Sequence, residues 1–124
     1  LGFVCWRRLE ENDLDWLPLR AAGREHLVDR TPFRFEDADY VRALLNRTGY
    51  REIGIRAQNF AVSCGDSEAT VRVLTAAGAL GRIFRGAPEH LPAAQDGLPA
   101  ALPAPRADGA VYLDAATWIV SAIA

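Results

Sequence analysis

The chain opens with Leu1-Gly2-Phe3-Val4-Cys5-Trp6, an almost unbroken apolar run. Successive side chains of a β-strand point to opposite faces of its sheet, so this run predicts a strand that is covered on both faces, as in the middle of an α/β sheet. Arg7 and Arg8 end the strand. Because the 124-residue chain has no methionine and begins inside a predicted strand, we expect it to be the back part of a larger domain.

The composition of the chain narrows the classes of function. A formal net charge of -2 argues against a nucleic-acid surface, because phosphate binding needs a clustered basic face. No apolar stretch approaches the roughly 20 residues of a membrane span. Cys5 lies in the apolar opening run, where a free cysteine behaves as a small hydrophobe. We therefore expect Cys5 and Cys64 to stay reduced and the protein to be cytoplasmic.

The clearest helix of the sequence begins after Asp37, whose side chain can accept a backbone N–H at a helix start. Apolar residues follow at helical spacing, and Gly49 stands where a helix end favours a left-handed residue. The next segment, Arg51–Asn59, alternates between apolar and polar side chains. This pattern predicts a strand with one wet face, which suits the edge of a sheet.

The remaining segments are assigned from prolines that interrupt helices, from residues that cap helix starts and from apolar runs. Glu10–Val28 is predicted to be helical or loop-helix, with a first turn or break near Leu17 because Pro18 lies inside it. A second clear helix should follow Asp66. Ala87–Pro105 carries five prolines, so any helix there should be short or kinked. The apolar residues of Ala116–Ile123 predict a closing strand that is covered on both faces.

These elements predict one partial α/β domain over residues 1–124, with three strands and flanking helices. A crossover that contains a helix joins the first two strands, which favours a parallel relation and a right-handed connection. The last strand gains cover on both sides if it runs antiparallel between the first two. The first strand then keeps a free outer edge, where its apolar character implies a further strand.

Three motifs, in this order, resemble the C-terminal half of class I S-adenosylmethionine-dependent methyltransferases, with the closest likeness to the small-molecule enzymes of ubiquinone and menaquinone biosynthesis. Phe3–Asn12 resembles the family's F-V-x-W-R-P-L-x-x-N segment, except that Arg8 replaces the usual proline. Val41–Ile53 resembles V-x-x-L-L-x-x-x-G-F/Y-x-x-V/I, and Ala116–Ala122 resembles the closing strand A-x-W-x-V-x-A. The proline-rich segment Ala87–Pro105 departs from the family's usual helix.

The resemblance implies a Rossmann-like sheet and methyl transfer from S-adenosylmethionine to a small molecule. In the family, a glycine-rich turn after the first strand of the full sheet binds the cofactor, since such a turn allows close backbone approach at a helix start. Neither Gly49 nor Gly78-Ala79-Leu80-Gly81 follows a strand with that spacing. We therefore expect the cofactor to be bound mainly by a front half that is not in this chain, and this chain to form the acceptor side.

Four residues are candidate substrate contacts. Trp6, Arg7 and Asn12 lie just past the C-terminal end of a strand, where open α/β sheets place their ligand crevice. Trp16 could line an apolar acceptor pocket under a cap. For each residue, ordinary packing or solvation is the alternative. No catalytic residue and no metal site is assigned, because in-line methyl transfer depends mainly on positioning.

Three further features have a functional and a structural interpretation. The acidic run with Glu10, Glu11, Asp13 and Asp15 could steer a cationic acceptor or could form a solvated helix start. His26 or His90 could act as a base, although neither has a metal-spaced partner. The bare strand Leu1–Trp6 could cause self-association.

A different class of protein is the alternative to an enzyme half. The chain could be a self-contained α+β ligand-binding or protein-interaction module that uses Leu1–Trp6 as a pairing edge. A stand-alone module would be expected to protect that edge with charge or proline, and here the edge is bare. The tail of another doubly wound enzyme, such as a dehydrogenase, fits the closing tryptophan-containing strand less well.

Overall fold

The structure is a computed structural model that describes all residues from Leu1 to Ala124. One three-stranded sheet, formed by β1 (Gly2–Trp6), β2 (Arg51–Ser63) and β3 (Tyr112–Ile123), is flanked by helices. The five α-helices are α1 (Asp13–Ala21), α2 (Ala38–Arg47), α3 (Ser67–Ala76), α4 (Gly78–Gly86) and α5 (Leu91–Gly97). The α/β class predicted from the sequence is confirmed at this level.

The strand order is β1-β3-β2, and β3 pairs antiparallel with both of its neighbours. Because each outer strand opposes β3, β1 and β2 run in the same direction, in the predicted order. They do not pair with each other, however, so the sheet contains only antiparallel ladders. A parallel ladder of the Rossmann kind is therefore absent from this sheet, because the strand that arrives last in sequence separates the two that share a direction.

The strand lengths differ from those predicted. β2 continues to Ser63 rather than ending at Asn59, and β3 begins at Tyr112 rather than at Ala116. The added residues pair with each other, from Phe60 opposite Ala115 to Ser63 opposite Tyr112. The extension of each strand is stabilised by the other, a long-range pairing that local sequence patterns do not show.

The prediction that β1 is covered on both faces is wrong for this structure. Phe3 and Cys5 are half-buried, whereas Val4 on the opposite face is 62% exposed. β1 is one of the two edge strands of the sheet, and β3 is its only partner. The apolar opening run therefore leaves one face and one backbone edge of β1 without cover.

Helix boundaries follow the cap signals of the sequence. Asp37 accepts N–H groups from Asp39 and Tyr40 at the start of α2, and Gly49, after its end, has a φ of 90°. Asp66 accepts the N–H of Ala69 at the start of α3. These three predictions are confirmed, since each depends on a side chain or a glycine acting within its own turn.

The segments with weaker signals form shorter elements. Within Glu10–Val28 the structure has α1 and a 3-10 turn on either side of it, and α1 continues past Pro18 to Ala21 instead of breaking there. The proline-rich segment forms α5 between two 3-10 turns, which confirms the prediction of short helical pieces. None of the five helices has the length and apolar character needed to cross a lipid bilayer.

Two hydrophobic clusters lie on opposite faces of the sheet. The larger has twelve buried residues, drawn mainly from the helices α1, α3, α4 and α5, and it includes Leu113 of β3. The smaller places Val41 and Leu45 of α2 against Val120 and Ala122. Leu113 and Val120 are an odd number of residues apart, and the pairing of β3 with β2 is unbroken between them. Their side chains therefore lie on opposite faces of β3, and so do the two clusters.

The junction between α3 and α4 is tightly packed around Gly81. A Cβ atom on Gly81 would lie 2.5 Å from both the carbonyl carbon and the carbonyl oxygen of Ala76. Gly86, at the end of the same helix, has nothing within 4 Å of its added Cβ. The two glycines of α4 therefore differ in the space around them.

We predict that Gly81→Ala lowers the free energy of unfolding by about 1–3 kcal/mol, because the new methyl group clashes with backbone that cannot move freely. Gly86→Ala is the matched control and should be neutral or stabilising by up to about 1 kcal/mol, as alanine usually is in a helix. Urea unfolding monitored by circular dichroism measures both. Equal effects of the two substitutions would contradict the close packing at Gly81.

Candidate functional site at the end of β1

The site begins where β1 ends and β3 continues alone. The Arg7 N–H donates to the Ala116 carbonyl oxygen at 3.0 Å, and this is the last backbone hydrogen bond between the two strands. The Asn12 Oδ1 atom accepts the Ala116 N–H at 2.8 Å, and Asp13 Oδ2 accepts the Asp114 N–H at 2.9 Å. Two side chains thus accept hydrogen bonds from backbone N–H groups of β3 that lie beyond the end of β1.

Asn12 is the centre of this arrangement and is 2% exposed. Its Nδ2 group donates to the Arg8 carbonyl oxygen at 2.9 Å, while its Oδ1 holds Ala116. One amide therefore ties the chain leaving β1 to the middle of β3. Asn12 was predicted to contact substrate, and the structure instead places it beneath the surface, where it holds the wall of the site.

The acidic residues around α1 are each bound to a partner. Asp15 Oδ1 accepts the Ala79 N–H at 2.7 Å and so caps α4 from outside. Asp13 holds β3 as described above. Glu11 forms an ion pair with Arg7, and Glu10 forms one with Arg30. The four carboxylates of this acidic run, which could have steered a cationic acceptor, thus bind other parts of the fold.

The ion pair between Glu10 and Arg30 shifts the pKa of each group in the direction that favours its charged form. The hydrogen bond from Arg30 is the main reason that the pKa of the Glu10 carboxyl lies below its usual range. The same hydrogen bond raises the pKa of Arg30, and the charges of Glu10 and Glu36 add to this effect. Both side chains remain partly exposed, so this pair contributes only modestly to stability.

A cleft of about 600 Å³, which we call the strand-end cleft, opens beside these residues. It lies between the end of β1 and the start of α2. Its volume is within the range of small-molecule sites in proteins. The residues that line it are Arg7, Arg8, Glu10, Glu11, Glu36, Asp37, Ala38 and Trp118.

Arg7 and Trp118 form one wall of the strand-end cleft. The Arg7 guanidinium carbon lies 5.2 Å from the centre of the Trp118 ring, within the range of a cation–π contact. Arg7 also donates to Asn59 Oδ1 at 2.8 Å and pairs with Glu11. These three contacts leave the Arg7 side chain only 18% exposed, so the guanidinium is held in one position.

Glu36 contacts the Trp118 indole at its N–H group. The Trp118 Nε1–H donates to the Glu36 carbonyl oxygen at 2.8 Å, and the Glu36 N–H donates to the Phe33 carbonyl oxygen at 2.9 Å. The backbone of Glu36 is therefore fixed on both sides. Its carboxylate Oε2 atom is shielded from solvent and has no hydrogen-bond partner.

The other two predicted contact residues lie outside the strand-end cleft. Trp16 lines a separate cleft of about 400 Å³ along α1, together with Asp13, Leu17, Arg20, Ala21 and Ala101. Trp6 points to the opposite sheet face from Arg7, is 38% exposed and packs against Phe33 with ring centroids 6.4 Å apart. The structure thus separates Trp6, Arg7, Asn12 and Trp16 rather than bringing them together.

Trp118 and Glu36 line the cleft but were not predicted as site residues. Trp118 could have been found from the register, since Cys5 pairs with Trp118 and Arg7 follows on the same face. Glu36 carries no such signal. It is one acidic residue in a polar connector, and its position depends on where the chain crosses from one sheet face to the other.

A comparison of the chain with models of known protein families finds no match, and a comparison with curated proteins also finds none. The geometry of the site and the resemblance of the three motifs are therefore the observations that bear on function.

We predict that Asn12→Ala lowers the free energy of unfolding by about 2–3 kcal/mol, because it leaves the buried Ala116 N–H without an acceptor. Asn46→Ala on the exposed surface of α2 is the matched control and should stay within about 0.5 kcal/mol of the parent. Urea titrations of both variants give the difference. If the two asparagines prove equivalent, Asn12 does not hold β1 and β3 together.

Proposed function

We propose that this chain is the acceptor-side half of a class I S-adenosylmethionine-dependent methyltransferase that acts on a small molecule. The observation that carries the proposal is the strand arrangement, in which a late antiparallel strand separates two strands of the same direction. The three motifs resemble the C-terminal half of that family, and the resemblance implies that the sheet ends in this arrangement. A cleft of ligand size at the C-terminal end of β1 is the second support.

In this proposal the cofactor is bound mainly by a front half that pairs with the free edge of β1. That edge bears no charged residue from Gly2 to Trp6, and the face with Val4 is open. A domain that completed the sheet there would cover the apolar residues that this structure leaves exposed. The Rossmann-like character of the whole sheet belongs to the same proposal.

The strand-end cleft is the proposed acceptor site, with Arg7 as its candidate contact residue. Methyl transfer is an in-line displacement, so the protein must chiefly fix the position of the acceptor. A guanidinium held by Glu11, Asn59 and Trp118 can do this, because its remaining donors have a set direction. Asn12 positions this wall, and Trp16 would line a second, more apolar surface along α1.

We further propose that the protein works in the cytoplasm. Cys5 and Cys64 are both free thiols. Burial raises the pKa of the Cys5 thiol, which keeps it in the less reactive protonated form. Such a pair of free thiols is suited to a reducing compartment.

The first prediction of this proposal concerns cofactor binding. S-adenosylmethionine should give no saturable heat with residues 1–124 in titration calorimetry, because the chain lacks a glycine-rich turn after a strand. The polypeptide from the complete coding sequence should bind the cofactor and transfer its labelled methyl group to a small molecule. Arg7→Ala should lower that transfer at least about tenfold, whereas Arg47→Ala, on the exposed surface of α2, should not.

Micromolar binding by residues 1–124 alone would contradict the assignment to the acceptor side. A complete polypeptide that neither binds the cofactor nor transfers the methyl group would contradict the enzyme class and favour the interaction module.

The second prediction concerns the edge of β1. Residues 1–124 should self-associate, because the bare edge of β1 is open to another strand. Val4→Lys should weaken that association at least about tenfold, since a charge on an edge strand opposes pairing. Val73→Lys, at an exposed position of α3, is the control and should leave it unchanged. Sedimentation velocity over a concentration series measures this. A parent chain that stays monomeric throughout would contradict the open edge.

A further inference from the structure

Glu36 is set apart from the other carboxylates of the strand-end cleft. Glu10 is paired with Arg30, Glu11 is paired with Arg7, and Asp37 accepts two backbone N–H groups at the start of α2. Glu36 makes no hydrogen bond or ion pair of this kind, although its Oε2 atom is shielded from solvent. The nearby Arg30, whose pKa is raised in part by the charge of Glu36, is bound to Glu10. A carboxylate oxygen in this position loses its hydration and gains no hydrogen bond in return, which is unfavourable unless a donor arrives.

The position of Glu36 suits the recognition of a ligand. Its backbone is fixed by Phe33 and Trp118, so its side chain starts from a constant place at the cleft. The last torsion of a glutamate side chain rotates easily between equivalent states. A modest rotation can therefore turn either oxygen to a donor in the cleft without any movement of the chain.

The charges of the cleft indicate which kind of donor fits best. Its lining carries four carboxylates and two guanidinium groups, and the ion pair with Glu10 adds the guanidinium of Arg30, which leaves an excess of one negative charge. A cationic donor satisfies an ionised oxygen more strongly than a neutral hydroxyl does. The indole of Trp118 adds an aromatic surface for the uncharged part of a ligand.

From these observations we propose that the strand-end cleft binds a small molecule with a primary ammonium group and that Glu36 is its counter-ion. This inference rests on the proposed function for one step, which is that the amine-bearing molecule is the methyl acceptor. The binding itself requires neither the cofactor nor methyl transfer. The ammonium group serves to hold the ligand, and the proposal does not assign the methylated atom.

The experiment uses three probes with the same phenyl skeleton and different end groups, namely phenethylamine, 2-phenylethanol and 3-phenylpropionate. Each is titrated into the ¹⁵N-labelled chain, and the Trp118 indole N–H resonance is followed, because that group lines the cleft and donates to the backbone carbonyl oxygen of Glu36. Phenylalanine substitutions identify the three indole signals. Phenethylamine should bind at least about fivefold more tightly than either of the other two probes.

Glu36→Gln should remove the preference for phenethylamine, because it keeps the size of the side chain and loses the charge. Glu68→Gln on α3, outside the cleft, is the matched control and should keep the preference. Glu36→Asp retains the charge and should keep part of the preference, and a dispersed spectrum of each variant verifies that it is folded. Equal affinity for the three probes in the parent, or an unchanged preference in Glu36→Gln, would overturn the proposal.

The outcome is separable from the test of methyl transfer. A chain that lacks the amine preference, alongside a complete polypeptide that transfers methyl groups, would overturn only the assignment of Glu36. Amine binding without methyl transfer by the complete polypeptide would support the cleft and reject the enzyme class.

Discussion

The amide of Asn12 is the contact on which the shape of this chain depends. β1 is five residues long and β3 is twelve, so β3 extends well past its partner. A buried strand cannot leave its N–H groups unpaired without a large loss of stability. Asn12 and Asp13 supply the missing acceptors, and this fixes where α1 begins. Arg7, Arg8 and the strand-end cleft take their positions from that same connection.

The elements that were predicted correctly depend on local chemistry. Asp37, Gly49 and Asp66 each act within one turn of their own helix, and the sequence shows them directly. The strand order also followed from the sequence, because a last strand with apolar residues on both faces needs neighbours on both sides. These inferences require no knowledge of distant contacts.

The features that the sequence did not reveal depend on contacts between distant parts of the chain. The first four residues of β3 lie outside the predicted strand Ala116–Ile123, and they form strand because Phe60–Ser63 lies opposite them. Asn12 is predicted as a ligand contact because its place after the strand is visible in the sequence, whereas the Ala116 N–H that it binds is 104 residues away. Val4 was expected to be covered, whereas it is 62% exposed on a strand at the edge of the sheet.

The two hydrophobic clusters are unequal, and this has a consequence for the motions of the protein. One face of the sheet is covered by four helices, whereas the other is covered by α2 alone, with four buried residues in its cluster. A layer with so few buried contacts is the part of a domain that opens first, by local unfolding. Because Asp37 and Ala38 also form part of the strand-end cleft, each such opening would widen its mouth and admit molecules that the closed form excludes.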